Sequence, residues 1–408
     1  MRKHISVLLE IIICFMLVAC STPSSDGSSI ITEIETETII IEDESSQNET
    51  SSTNDNVPSN ENASSENTSI GDALSKDESS SNDSDTFIDD FLNEEQYIAK
   101  DYAYSFAVVG DTQYLVQNDI NWGVNNTAIL YDWLVANKDA KKIKAVFGMG
   151  DITEKNDELQ WKHAKANISK LDGILPYYLV RGNHDNSDNY NKYFGDSKYT
   201  SQFIDPDISN QSKCFYKTGK IENSYTKFTV GNTKYLLITL DYRADDNILA
   251  WANEVVAANP SYRVIVTTHD YLAYDGSWDT EKSNEEENCG RDIWVEFIRK
   301  HKNIFLVLCG HENREPNRDI IKLESKGNNG NTVTQLMINA QSLEWDDITT
   351  TDDDNEQQYG MVAMLYFNED GSEVMIEYIS TVLSKHEGYD YYYREYQNNI
   401  TFYPRYVD

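Results

Sequence analysis

The chain has 408 residues, 39% of them hydrophobic and 25% charged, enough to bury at least one sizeable core. Its net charge of −35, from 69 acids against 34 bases, and the lack of any Lys/Arg cluster exclude general binding to a nucleic-acid backbone. Five cysteines (Cys14, Cys20, Cys214, Cys289 and Cys309) with no C-x-x-C pair exclude a disulfide-stapled scaffold and give no sign of a thiolate zinc site. For the last three, one disulfide with a leftover thiol and three free thiols are both allowed.

In chain order, residues 1–19 read as a secretory signal: Arg2 and Lys3 precede an apolar run, Ile11 to Ala19, too short to span a bilayer comfortably. The end of that run, Leu17-Val18-Ala19-Cys20, resembles the lipobox of bacterial lipoproteins. That resemblance implies cleavage before Cys20, a diacylglycerol on its sulfur and location at the outer face of the cytoplasmic membrane, with the membrane as a partner. Residues 20–95 follow as a tether. From Ser21 to Glu95 there are 20 acids and one base, Lys76, and no aromatic residue occurs before Phe87. Such a segment buries too little surface to offset its chain entropy, so an extended spacer is expected.

One α/β domain is expected over 96–408. Its predicted strands include Phe106–Gly110, Ile143–Met149 and Tyr177–Val180. Helices around Ile129–Leu134 and Leu159–Leu171 alternate with them, which argues for a largely parallel sheet. Periodicity fails over Ser187–Glu222, read as a long insertion. A hairpin follows, Tyr225–Val230 and Tyr235–Leu240 about Gly231-Asn232. Then come a helix Ile248–Ala258, a strand Arg263–Thr267, a helix Ile293–Lys300 and a strand Ile304–Cys309. The last hundred residues read as antiparallel strands, Val333–Asn339, Met361–Phe367 and Val374–Ile379, before a Tyr-rich end.

Functional residues of such folds cluster at the carboxyl ends of strands. Five predicted ends carry groups able to hold a metal: Asp111-Thr112-Gln113, Gly150-Asp151, Gly182-Asn183-His184-Asp185, Thr268-His269-Asp270 and Gly310-His311-Glu312-Asn313. Three of the seven histidines fall there. Carboxylates, imidazoles and amide oxygens together suit a hard-to-borderline metal pair.

The order D-x-Q, G-D-x-x-E, G-N-H-D, H, G-H-x-N resembles the calcineurin-like metallophosphoesterase superfamily over residues 104–313. The resemblance implies a four-layer α/β/β/α sandwich, two mixed sheets flanked by helices, and hydrolysis of phosphomono- or phosphodiesters by a metal-bound hydroxide. It implies two divalent metal ions bridged by Asp151, one completed by Asn183, His269 and His311, the other held by Asp111, Gln113 and Asn313. His184, held by Asp185, would stand beside the phosphoryl group. Two departures fall on one site: Gln113 and Asn313 stand where the family has histidine. An oxygen-rich site there favours Mn²⁺, Mg²⁺ or Ca²⁺, with Mn, Fe or Zn possible at the other. A non-catalytic surface binding module that keeps the fold is the alternative.

Plainer roles are expected elsewhere. Glu154 reads as a local cap or ion pair, Asp270 as a turn or orienting residue, and His163 as exposed. His301 reads as interacting with a helix C-terminus, and Cys309 as a small core packer. Tyr114, Tyr190, Tyr193 and Trp278 are expected in loops around the site, able to stack on a substrate, with simple packing as the default.

Overall fold

The computed structural model describes residues 102–312, 320–339, 360–382 and 400–406. The signal segment, Cys20, the tether and Asn313 lie outside the described residues. No helix among the described residues is long and apolar enough to cross a membrane.

The first half of the domain runs β1 (Tyr104–Val109), α1 (Gln113–Trp122), α2 (Asn126–Asn137), β2 (Ile143–Gly148), α3 (Glu158–Ile168) and β3 (Tyr177–Leu179). α4 (Ser187–Phe194) and the short α5 (Ser197–Thr200) follow. The second half runs β4 (Phe215–Lys217), β5 (Lys220–Val230), β6 (Thr233–Thr239), α6 (Asp246–Ala257), β7 (Arg263–Thr267), α7 (Gly290–Glu296) and β8 (Ile304–Cys309). It ends with β9 (Ile321–Lys326), β10 (Thr332–Met337), β11 (Met361–Phe367), β12 (Val374–Ser380) and β13 (Ile400–Phe402).

The strands form two mixed sheets flanked by helices, as expected: one in the order β13-β12-β11-β1-β2-β3, the other β4-β5-β6-β7-β8-β10-β9. All residues of β1, β8 and β11 are buried, which is why these strands read as unbroken apolar runs instead of alternating ones. The sheets meet face to face through aromatic side chains. Phe106 of β1 lies edge-on to Phe228 and Tyr235 of the other sheet, with ring centroids 5.9 and 5.6 Å apart.

Three readings change. Ser187–Glu222 holds real elements: α4 is capped by Asn186, whose Oδ1 accepts from the Asp188 and Asn189 amides, and β5 begins at Lys220. Its short, aromatic-rich pieces lack the length that makes periodicity visible. β10 pairs parallel with β8 and antiparallel with β9, so the C-terminal part is not purely antiparallel. α1 was hidden because its buried face is partly polar, including Gln113, Asn118 and Asp119.

Parallel pairing aligns the strand ends. Val109 pairs with Gly148 and Gly148 with Leu179 in one sheet. In the other, Thr267 pairs with Leu308 and Cys309 with Met337. The residues just past these rungs therefore gather at one edge of both sheets.

Candidate metal centre

Asp151, His269 and His311 each bring a ligand atom within 4.8 Å of the others. His269 Nε2 lies 3.3 Å from Asp151 Oδ2, 2.9 Å from Asn183 Oδ1 and 3.2 Å from His311 Nδ1. Its Nδ1 faces the Met149 carbonyl at 2.8 Å, which fixes the ring so that Nε2 points into the cluster. Asp111, past β1, is buried and accepts from the His311 backbone amide at 3.1 Å. Gln113 opens α1 at 1% exposure, and its buried Oε1 has no hydrogen-bond partner.

The backbone here is forced. Asp151 (φ 42°) and His311 (φ 70°) both sit in the left-handed region, which costs roughly 1–3 kcal/mol per non-glycine residue and concentrates at functional sites. At Gly182 any Cβ would lie 2.0 Å from Asp151 Oδ1, so only glycine lets the G-N-H-D loop come this close.

Like charges are packed together. Burial, reinforced by the nearby Asp151 charge, pushes the Asp111 carboxyl well above its usual range, although His269 pulls it down. Burial works against the charged forms of Asp151 and His269 too. Their mutual attraction nevertheless holds the Asp151 carboxyl low and lifts the His269 imidazole to about 10. Burial and the neighbouring His269 lower His311. A polyvalent cation is the species that relieves such a cluster, and the orphaned Gln113 Oε1 is a hard-oxygen donor for it. The residues present therefore fit a bound divalent metal.

The structure brings His184 to the same edge: its amide donates to Asp151 Oδ1 at 2.9 Å. Asp185, however, does not hold the His184 ring. Its carboxylate accepts from the amides of Ile152, Thr153 and Gly182 at 2.9, 3.0 and 3.2 Å, which ties two strand-end loops together. Burial, then repulsion from Asp151, raises it to about 6. The imidazole is held by Glu154, whose carbonyl lies 3.0 Å and Oε2 3.3 Å from His184 Nδ1. The acid three residues after Asp151 thus takes the place expected of the acid next to His184 in sequence.

Residues missed by sequence reasoning come from two further strand ends. After β6, the Tyr242 ring lies 5.9 and 6.0 Å from those of His269 and His311, and Arg243 Nε donates to Asp270 Oδ2 at 3.0 Å. After β10, Asn339 joins the cluster. Both strands run parallel to a neighbour, so the strand-end rule would have found them. It was withheld because they read as a hairpin arm and an antiparallel strand.

Of the four aromatic residues expected around the site, three pack, which is their default role. Tyr190 is fully buried in α4, its hydroxyl donating to the Leu179 carbonyl, and Tyr193 of the same helix stacks on Trp161. Trp278 stacks on Trp294 and donates to Gln335. Only Tyr114, half-buried beside Gln113 in α1, stays next to a candidate ligand. His163 is not free in solvent but bonds Asp119 at 2.9 Å; His301 does end a short helical turn, its amide bonding the Ile298 carbonyl, while its ring bonds Asn253 at 2.8 Å. Cys214, Cys289 and Cys309 are buried free thiols.

The family model described as Calcineurin-like phosphoesterase matches residues 104–315. The chain belongs to this family. The family is dimetal-dependent, and some of its homologues are inactive. The chain is 28% identical over 224 residues to the uncharacterized protein YvnB of Bacillus subtilis, which covers 52% of this chain and 15% of that protein. It is 27% identical over 187 residues to probable inactive purple acid phosphatase 24 of Arabidopsis thaliana, covering 43% of this chain and 29% of that one. The matched part is thus less than a third of either relative. A dimetal phosphatase from Danio rerio aligns with a TM-score of 0.43 and 13% identity, covering 69% of this chain and 98% of that one.

Proposed function

We propose that this metallophosphoesterase hydrolyses phosphomono- or phosphodiesters with two divalent cations. We further propose that it works at the outer face of the cytoplasmic membrane, tethered through a lipid on Cys20. The observation that carries the catalytic part is the convergence of Asp151, His269 and His311 within 4.8 Å beside the unpartnered Gln113 Oε1. The location rests on the Leu17-Val18-Ala19-Cys20 pattern and the acidic spacer after it.

Asp151, Asn183, His269 and His311 would hold one cation, and Asp111, Gln113, Asp151 and Asn313 the other. Bound there, the cations supply Lewis-acid charge and an activated hydroxide for attack on phosphorus. The chain's own groups do the rest. His184 presents Nε2 to the substrate, because its Nδ1 is turned to the Glu154 carbonyl. The Glu154 carboxylate lies 3.3 Å from that nitrogen, and the ring so oriented aims Nε2 to pass a proton to the leaving oxygen. Asp185 keeps the His184 loop fixed against the Asp151 loop, which places the proton donor without reorganisation.

The test is hydrolysis of a chromogenic phosphomonoester and a phosphodiester by the full chain. It is run metal-stripped and then with Mn²⁺, Mg²⁺, Ca²⁺, Zn²⁺ or Fe²⁺, beside Asp151→Asn. Turnover restored by metal and lost in the variant is expected. Turnover that persists in Asp151→Asn would place the chemistry elsewhere. The name of the inactive plant relative, together with Gln113 and Asn313, keeps a binding role as the second reading. Metal bound at stoichiometric amounts with no hydrolysis of either ester would favour it.

A further inference from the structure

The two halves of the metal centre come from different sheets. Asp111 follows β1 in one, while His269 and His311 follow β7 and β8 in the other. Asp111 needs its own tie to the His311 loop, because other directional links between the sheets, such as His269 to the Met149 carbonyl and Tyr104 to Tyr235, do not reach it. Asn339, 2% exposed at the end of β10, is placed to provide that tie. Its Nδ2 donates to Asp111 Oδ2 at 2.8 Å and to the His311 carbonyl at 3.0 Å. His311 in turn donates its amide to the same Asp111 oxygen at 3.1 Å.

We propose that Asn339 is the positioning residue of the metal centre, clasping Asp111 to the His311 loop across the two sheets and thereby setting the Asp111/Gln113 position. The proposal rests on the reading of this cluster as a metal centre, and it adds a residue beyond the family match, which ends at 315.

Three further features support it. The closed triangle fixes both peptide groups of His311, whose positive φ needs an external hold. The backbones are in tight contact here: a Cβ on Gly110 would lie 2.6 Å from the Ile338 carbonyl and 3.1 Å from Asn339 Cα. Position 339 is therefore held from the Asp111 side as firmly as from β8, where the Ile338 amide bonds the Cys309 carbonyl at 2.9 Å. Lastly, an amide is the suitable donor. It carries no charge to compete with a cation and cannot lose its protons, whereas lysine or histidine would do one or the other.

The proposal is tested with the full chain and Mn²⁺ as the probe, by equilibrium dialysis and by electron paramagnetic resonance. The variants are Asn339→Ala and Asn339→Leu, which keeps the approximate shape without charge but loses the donor. The wild type is expected to bind two ions with the spectrum of an interacting pair. Both variants should lose about 10–100-fold in affinity at one position, as for partners of metal ligands generally. At Mn²⁺ levels that saturate the wild type they should show an isolated-ion spectrum. Should Asn339→Ala fold poorly, Asn339→Leu carries the test.

Two interacting ions with unchanged affinity in the folded variant would overturn the proposal, even if its melting temperature fell, since that is the mark of a merely structural role. A wild type that binds no Mn²⁺ would overturn both this and the metal-centre reading. A wild type that binds two ions but hydrolyses nothing, with variants that lose one, would sink the phosphoesterase reading and leave this inference standing.

Discussion

The two ends of the sandwich are built on opposite terms. At the amino ends of the central strands, polar side chains pair across the sheets. Arg263 donates to the Asp370 carbonyl at 2.6 Å and lies 3.6 Å over the Tyr406 ring, and the Tyr406 hydroxyl bonds the Gly371 carbonyl at 3.0 Å. Tyr104 and Tyr235 close the sheet-to-sheet contact with a hydroxyl–hydroxyl bond. At the carboxyl ends, Asp151, Arg243 and His311 hold left-handed backbone, buried carboxylates face each other, and buried oxygens of Gln113 and Asp270 go without partners. Among the described residues the amino end has a single left-handed non-glycine residue, Lys142 (φ 53°) before β2, whereas the carboxyl end gathers these three around buried, mutually repelling carboxylates. The strained end therefore points to what the molecule binds.

Substitutions at the two ends should separate activity from stability. The largest effect is expected for Asp111→Asn. It removes a charge that burial already disfavours, so the metal-stripped protein should melt at the same temperature or higher. Hydrolysis should fall by about 10³-fold, as befits several kcal/mol of lost charge stabilisation. A large drop in melting temperature would make Asp111 a structural residue and erase the contrast. Next, Glu154→Gln should cost turnover about 10–100-fold while metal content stays at the wild-type level. Equal loss in Asp185→Asn with no loss in Glu154→Gln would return the His184-holding role to Asp185.

How much of this was legible in the sequence follows the same divide. The centre of each sheet announced itself, because doubly buried strands such as β1 and β8 need continuous apolar runs. The motif residues were equally visible, since histidine, aspartate and glycine at strand ends have few other uses. What stayed hidden depends on pairing between distant segments. Whether β10 runs parallel to β8 decides whether Asn339 reaches the site, and no local pattern encodes that. The choice of Glu154 over Asp185 as the partner of His184 is likewise set by which loop lies against which. The loop placement of Tyr190 misled for the converse reason. An aromatic residue in a polar stretch looks exposed until the surface it covers is known.

At the amino end, Arg263→Leu should leave kcat/KM unchanged and cost about 1–2 kcal/mol, discounted because Arg263 is partly exposed. A fall in turnover instead would show that the two ends are coupled through β7.

The smallest effect concerns His301, just before β8, whose Nε2 bonds Asn253 Oδ1 at 2.8 Å. Burial, helped by the charge of Lys300, lowers its pKa below the ordinary 6.5. The folded state therefore favours the neutral ring. Above pH 6.5 the ring is neutral in both states and costs nothing. As pH falls through 6.5 the unfolded chain gains the proton first, so stability is lost. Wild type minus His301→Gln should then show a stability difference that declines between about pH 7 and 5 by less than about 1 kcal/mol. Because the residue is remote from the metal centre, Mn²⁺ affinity in the same pair should stay identical at each pH. A pH-independent stability difference would mean that the protonated ring finds a partner at this end, and that the amino-terminal end is less fully satisfied than its hydrogen bonds indicate.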